Sequence, residues 1–315
     1  MTDAAARVLY VNPMEYGTNA AVDALSHGLD GRLTELGLDL RVLTADFRTA
    51  GWEKAAGNAV RAGVAAGVAA IVIWVIEPSV PADAVAFARS QGVPVLCLER
   101  PTFEADACVV YPNFNHGVYM SEYLATLLPP GARVAVVGGP DVVDDIELLL
   151  GLQHGLKTSG LTQVNDPEDP RYKNTTDVAS GGKLATTHLL SDFDDLDGLI
   201  PFNDETLLGA VEALQDAGRL GTITMVSRNG TPAAVELVRS GTHAGTWDID
   251  TIGIGQQIGD LVGRAVLDGE NLDGVCLASP IGRMITQERA NSWVPWERRV
   301  TYRPLSDRLD GQGST

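Results

Sequence analysis

Short apolar runs alternate with amphipathic stretches along almost the whole chain, and this alternation limits the fold more than any other feature. "VLYVN" (8–12) precedes a helical pattern from about 20 to 36, which Gly37 closes. "LDLRVLTA" (38–45), "AAIVIWVI" (69–76) and "VPVLCLE" (93–99) repeat the unit, with helical patterns at 53–66 and 82–91 between them. Apolar runs too continuous to alternate faces read as strands buried on both sides. Strands of this kind separated by helices predict a parallel sheet covered on both faces. The rhythm restarts after about 115, with a helix near 116–128, strand "RVAVVGG" (133–139), helix 143–159 and a strand near 161–164. It continues through helix 178–191, strand "GLIPFN" (198–203), helix 205–217, strand "ITMVSR" (223–228), helix 232–240 and strand "HAGTWDI" (243–249). A last helix (253–267) precedes "SPIGRMITQE" (279–288), a late strand expected to return toward the first half. The fold class is therefore α/β, with two doubly wound parallel halves.

Composition narrows the function. At 315 residues and 45% hydrophobic, the chain can bury a large core without staples. A net charge of -18, from 23 basic against 41 acidic residues, gives no basic stripe for phosphate, so nucleic acid is not a partner. No apolar run reaches the roughly 18 residues of a membrane span. "MTDAAARVLYVNP" lacks the apolar core of a leader. The protein is then expected to be periplasmic or extracytoplasmic if a leader was removed, and cytoplasmic if Met1 is the native start.

Cys97, Cys108 and Cys276 show no paired spacing and are expected to be buried, inert thiols. The acidic runs "DVVDDIE" (141–147) and "DFDDLD" (192–197) lack the spacing of a calcium loop, and His27, His116, His154, His188 and His243 lack that of a zinc site. Neither a metal nor a cofactor is expected. "GIGQQIG" (253–259) imitates a nucleotide loop without being one, and no GxxxxGK[ST] or GxSxG occurs. No positioned base and nucleophile can be read, so the chain is not expected to be an enzyme.

In open parallel sheets ligands bind beyond the carboxyl ends of the strands. Those ends read "NPMEYGTN" (12–19), "ERP" (99–101), "YPNFN" (111–115), "GGPDVVDD" (138–145), "FNDE" (202–205), "SRNG" (227–230) and "WDID" (247–250). With "GVPVLCLERP", "PFNDETLLGAVEALQDAG", "VSRNGTPAAVELVRSGTHAGT" and "GRMITQERANSW" in that order, the chain resembles the type 1 periplasmic sugar-binding proteins of ribose- and galactose-binding type over about residues 7–295. Effector domains of lac-repressor-type regulators share that fold. The resemblance implies two lobes joined by a hinge and closing on a ligand in the cleft between them. Residues 1–112 plus about 251–285 would form the first lobe, and about 113–250 plus 286–303 the second, with 304–315 a polar tail. Crossings would fall near 111–115, near 229–233 or slightly beyond, and near 279–287.

The implied function is that of a solute-binding protein of an ABC-type uptake system, taking a sugar, polyol or similar small polar molecule and meeting a membrane permease. A sensor kinase or regulator is the alternative partner, and an α/β enzyme the remoter reading. The implied ligand contacts are Tyr16, Arg100, Asn113, Asn203 and Asn229. The chain departs from the family where Asn229 replaces an aspartate, where Glu99 precedes Arg100, and where 146–152 carries no basic residue. The family's glutamine is absent as well, which brings forward Trp247 and Asp248, with Asp250 nearby. Alternate strand faces would let only one side of that last group see the cleft. Asp204 is open between capping the next helix and a ligand role, while Glu205 reads as first-turn dipole compensation.

Overall fold

The computed structural model describes residues 5–302 and Leu305, and the two predicted halves form two lobes. The first is laid down by β1 (Arg7–Asn12), α1 (Ala20–Glu35), β2 (Asp39–Thr44), α2 (Trp52–Ala65), β3 (Ala70–Trp74), α3 (Ala82–Ser90), β4 (Val95–Leu98) and β5 (Ala107–Val110). The chain then crosses and builds α4 (Asn113–Ala125), β6 (Arg133–Val137), α5 (Val143–Thr158), β7 (Thr162–Gln163), α6 (Ala179–Asp192), β8 (Gly198–Pro201), α7 (Asp204–Asp216), β9 (Thr224–Asn229), α8 (Pro232–Arg239) and β10 (Gly245–Asp248). It returns for α9 (Thr251–Val266) and β11 (Val275–Ala278), then crosses a third time into β12 (Arg283–Ile285) and α10 (Gln287–Ala290).

The sheets follow one plan, β2-β1-β3-β4-β5-β11 and β7-β6-β8-β9-β10-β12. All pairs are parallel except β10 with β12. Continuous burial along β1, β3, β4, β6 and β8 matches strands that face helices on both sides. Each lobe gives one helix to the other: α4, which follows β5, packs on α5, and α9, which follows β10, packs on α1. Glycines make these crossings close. A Cβ on Gly255 would overlap the Leu25 carbonyl oxygen, and one on Gly117 would overlap that of Leu148.

Two expectations change. The strand from 279–288 shrinks to β12 and pairs antiparallel with β10, so the first lobe ends with β11 and not at 285. The second crossing lies at 249–250, well beyond 229–233, because β9 runs on to Asn229 and both α8 and β10 remain in the second lobe. Apart from Leu305, the polar tail expected at 304–315 lies outside the described residues.

The cysteine reading also changes. Cys97 is a buried thiol, but Cys108 and Cys276 form a disulfide across neighbouring parallel strands β5 and β11, 168 residues apart. The long interval hid the pairing, which sheet register alone creates. A cross-link closing so long a loop restricts the unfolded chain, so reduction, or Cys276→Ser, is expected to destabilise the protein by about 2 to 4 kcal/mol. Melts with and without reductant check this, and a Cys276→Ser variant insensitive to reductant assigns the effect to this bond.

Candidate functional site

The carboxyl ends of both sheets face each other across a narrow cavity between the lobes. The first lobe contributes Pro13, Met14, Asn19, Phe47, Trp74 and Tyr111. From the second come Asp144, Asp145, Asp177, Asn203, Arg228 and Asn229, and from the second crossing Ile249 and Thr251. Among the described residues four non-glycine residues adopt positive φ, and all lie at or beside this region: Glu99 (φ 68), Asp177 (φ 52), Asn229 (φ 122) and Asp250 (φ 53). Such conformations persist only where surrounding contacts enforce them, and they cluster at functional sites.

The stretch Asn203-Asp204-Glu205 does three separate jobs. Asn203 accepts from Thr206 N at 2.9 Å, capping α7, while its amide donates to Asp177. Asp204 is fully buried and accepts from the Ser227 hydroxyl, from Thr246 Oγ1 at 2.8 Å and from Thr231 N at 2.7 Å, so it clamps β9, β10 and the start of α8 together. Glu205 reaches across the cleft and accepts from Ala20 N in the first turn of α1 at 3.1 Å. Beside it Asn19 Nδ2 donates to Asp177 Oδ2 at 3.0 Å. These two bonds join the lobes directly at the N-terminus of α1, whose unpaired N–H groups favour carboxylates.

A second chain of polar groups runs beneath the cavity. Asn113, at the start of α4, donates to Glu99 Oε1 at 2.9 Å and accepts from Arg228 Nη1 at 3.1 Å. Arg228 Nη2 meets Asp145 Oδ1 at 3.2 Å and Asp144 Oδ2 at 3.7 Å. Burial shapes the electrostatics. It lifts Glu99 to about 8, helped by Asp144, and Asp177 to about 8, helped by Glu205. Burial also raises Asp204 to about 7, and Asp144, Asp145 and Glu205 above the ordinary carboxylate range. Desolvation acts oppositely on His116 and His243, holding both down to about 3.

These shifts have a consequence for stability. A carboxyl with a raised folded pKa stabilises fully below its unfolded pKa and loses that contribution as pH rises through the folded value. The buried histidines work the other way, costing stability as pH falls below about 6.5. Between about pH 6.5 and 8, then, Glu99, Asp177 and Asp204 set the slope, and the melting temperature is expected to fall by several degrees as pH rises through that window. Melts at constant ionic strength check this. Asp177→Asn should flatten the slope, and a wild-type profile already flat would mean these groups are ionised throughout.

The sequence-predicted residues divide. Asn203 and Asn229 line the cavity, Asn229 donating to Glu205 Oε2 at 3.4 Å, and Asn113 supports Arg228 from behind. Arg100 is exposed, because the positive φ at Glu99 turns Glu99 inward, and it sits in an open groove beside Cys108 and Cys276. Tyr16 is 41% exposed and turned outward, its hydroxyl on His27 Nε2, while Met14 fills the inward position of the same loop. Trp247 stacks on Tyr119 at 5.4 Å and donates to Ile281 O at 2.9 Å, fixing the third crossing. Asp248 accepts from Trp293 Nε1 at 3.2 Å and pairs with Arg299, holding the C-terminal segment.

Sequence reasoning missed Arg228, Trp74, Tyr111 and Asp177 as cavity residues. Arg228 stood next to the favoured Asn229, and strand alternation was the available signal. Polar atoms on the lining residues Trp74 (Nε1), Tyr111 (hydroxyl), Arg228 (Nε) and Thr251 (Oγ1) have no hydrogen-bond partner among the described residues. Buried polar atoms without partners cost about 1 to 3 kcal/mol each, so the cavity is built to receive a polar molecule.

Comparison with known proteins gives a consistent picture. The sequence pattern of the periplasmic binding protein domain family matches residues 16–271. The xylitol-binding protein of Mycolicibacterium smegmatis is 25% identical over 246 residues, covering 75% of this chain and 66% of that protein. The ribose import binding protein of Bacillus subtilis is 28% identical over 156 residues, 49% of each chain. The D-ribose/D-allose-binding protein of Pseudomonas aeruginosa matches over 44% of this chain and 42% of its own length. The chain thus spans about half the length of the first two curated relatives, and just under two thirds of the xylitol-binding protein. Among solved structures, an ABC transporter periplasmic solute binding protein from Actinobacillus succinogenes with bound D-allose superposes with a TM-score of 0.81 at 18% identity, covering 91% of this chain and 100% of that one.

Proposed function

Since the chain belongs to the periplasmic binding protein domain family, we propose that it is the solute-binding component of an ABC-type uptake system, taking a sugar, polyol or similar small polar molecule between its lobes and delivering it to a membrane permease. The observation that carries this reading is the cavity itself, placed at the carboxyl ends of both sheets, lined by Phe47, Trp74 and Tyr111 and by polar atoms without partners. Aromatic rings suit the C–H faces of a sugar or polyol, and hydroxyls both donate and accept toward the surrounding amides and carboxylates. Within it, Asn203, Asn229, Asp144, Asp177 and Arg228 are the polar contacts. Asn113 positions Arg228. In this reading the site's groups hold and orient a ligand, and the output is the angle between the lobes.

The relatives support the ligand class through what their names say they bind: xylitol, ribose, and ribose or allose. The Cys108–Cys276 disulfide, a bond that persists where thiols are oxidised, supports an extracytoplasmic setting. No helix among the described residues is long and apolar enough to cross a membrane, which leaves translocation to a partner. A thermal-shift screen against pentoses, hexoses and polyols tests the reading. A ligand at about 100 times its dissociation constant adds about 2.7 kcal/mol to the native state, a shift of a few degrees. No shift with any of them, or with their amino derivatives, would reject it.

A further inference from the structure

The charge inside the cleft does not balance. Asp144, Asp145 and Asp177 line the cavity, and Glu205 stands directly behind Asn229. Against these four carboxylates the described lining residues offer one cation, Arg228. Its Nη atoms are already committed to Asn113, Asp145 and Asp144. Asp177 and Glu205 have no cationic partner in contact; they accept only from amides and from the backbone of α1.

Neighbouring elements bring no cation into contact with Asp177 or Glu205, and Arg48 acts on Asp177 only through space. Arg48, behind Phe47, is held by Asp46, and Lys173 by Asp141 and Glu168. Glu99 and Glu147, both near Asn113, add further negative charge. A neutral sugar would satisfy hydrogen bonds here and still leave these carboxyls either as unpaired anions, which is costly in a closed cleft, or held in the protonated form.

We infer that the solute carries a protonated amino group among its hydroxyls, as an amino sugar or amino polyol does. The inference rests on the proposed binding function and narrows its ligand class. An ammonium offers three donors to the Asp177 and Glu205 side of the cavity. The faces of Trp74, Tyr111 and Phe47 attract the same charge, being negative at their centres, so the apolar and acidic walls select one ligand chemistry. The hydroxyls remain for Arg228, Tyr111 and Thr251, lining residues that each carry a polar atom without a partner among the described residues. Because burial, helped by the charge of Glu205, raises Asp177 to about 8, the empty cleft retains a proton there at neutral pH that an ammonium displaces. Binding of the charged ligand thus releases protons.

Titration calorimetry of the wild-type protein at pH 7 tests this with matched pairs: glucose and glucosamine, galactose and galactosamine, xylitol and 1-amino-1-deoxyxylitol, myo-inositol and an inosamine. Two buffers of different ionisation enthalpy count the protons. At least one amino member is expected to bind about tenfold or more tightly than its neutral twin, which is about 1.4 kcal/mol, with proton release. Asp177→Asn should narrow that gap and reduce the release. Should the neutral twin bind as tightly or more tightly in every pair that binds, the charge inference fails and the sugar or polyol reading stands. If neither member of any pair binds, both fall.

Discussion

Arg228→Ala is expected to lower the stability of the unliganded protein by about 3 to 5 kcal/mol, the cost of removing one partner from a buried charge cluster. Arg228 is 3% exposed, and it alone faces both Asp145 and Asp144 while also donating to Asn113. Truncation leaves two carboxylates desolvated and near each other, with the Asn113 carbonyl unpaired. The chain Glu99–Asn113–Arg228–Asp145 joins the first lobe, the first crossing and the second lobe, so the loss reaches beyond one side chain. Denaturant titration checks this as a lower midpoint at unchanged slope. The double variant Arg228→Ala with Asp145→Asn should lose less than the sum of the two single variants, since each removes the other's penalty. Strictly additive losses would mean that the pair contributes nothing as a pair.

A comparable loss, about 3 to 5 kcal/mol, is expected for Asp204→Ala. Three donors converge on this carboxylate, the hydroxyls of Ser227 and Thr246 and the Thr231 amide, and leaving buried donors unpaired costs about 1 to 3 kcal/mol each. Burial pushes Asp204 up to about 7, and the donors converging on both of its oxygens are what offset that cost. Asp204→Asn keeps the shape and one acceptor and should lose clearly less than the alanine variant. Equal losses from both variants would point to the charge. Thermal and urea unfolding at pH 6 and pH 8 separate the two cases.

The strand and helix rhythm carried the fold in the sequence, since period and continuity are local properties. β5 and β11 escaped that reading. Each is four residues long, and their pairing joins Cys108 to Cys276 by a register no local pattern encodes. The same short range explains the mixed record at the cleft. Asn203 and Asn229, which the family resemblance implied as contacts, lie at strand ends and do line the cavity. Which of two adjacent residues turns inward depends on one backbone angle. At Glu99 a positive φ sends the carboxyl in and leaves Arg100 in solvent. Tyr16 lost its inward place to Met14, two residues away, whose carbonyl is held by Asn12 Nδ2 at 2.7 Å. Charge balance was hidden for the same reason: Asp144, Asp177 and Arg228 are far apart in sequence, and only the parallel order of the second lobe's sheet brings them to one wall of the cleft.

The tie between Cys108 and Cys276 gives the third crossing a mechanical character. β11 is stapled to β5 two residues before it ends, and at the far side Trp247 grips the Ile281 carbonyl ahead of β12. A connector clamped at both ends is a short flexure, with its compliance confined to residues 279–282. If the lobes hinge, such a span limits how far they can part, and opening the staple would lengthen it.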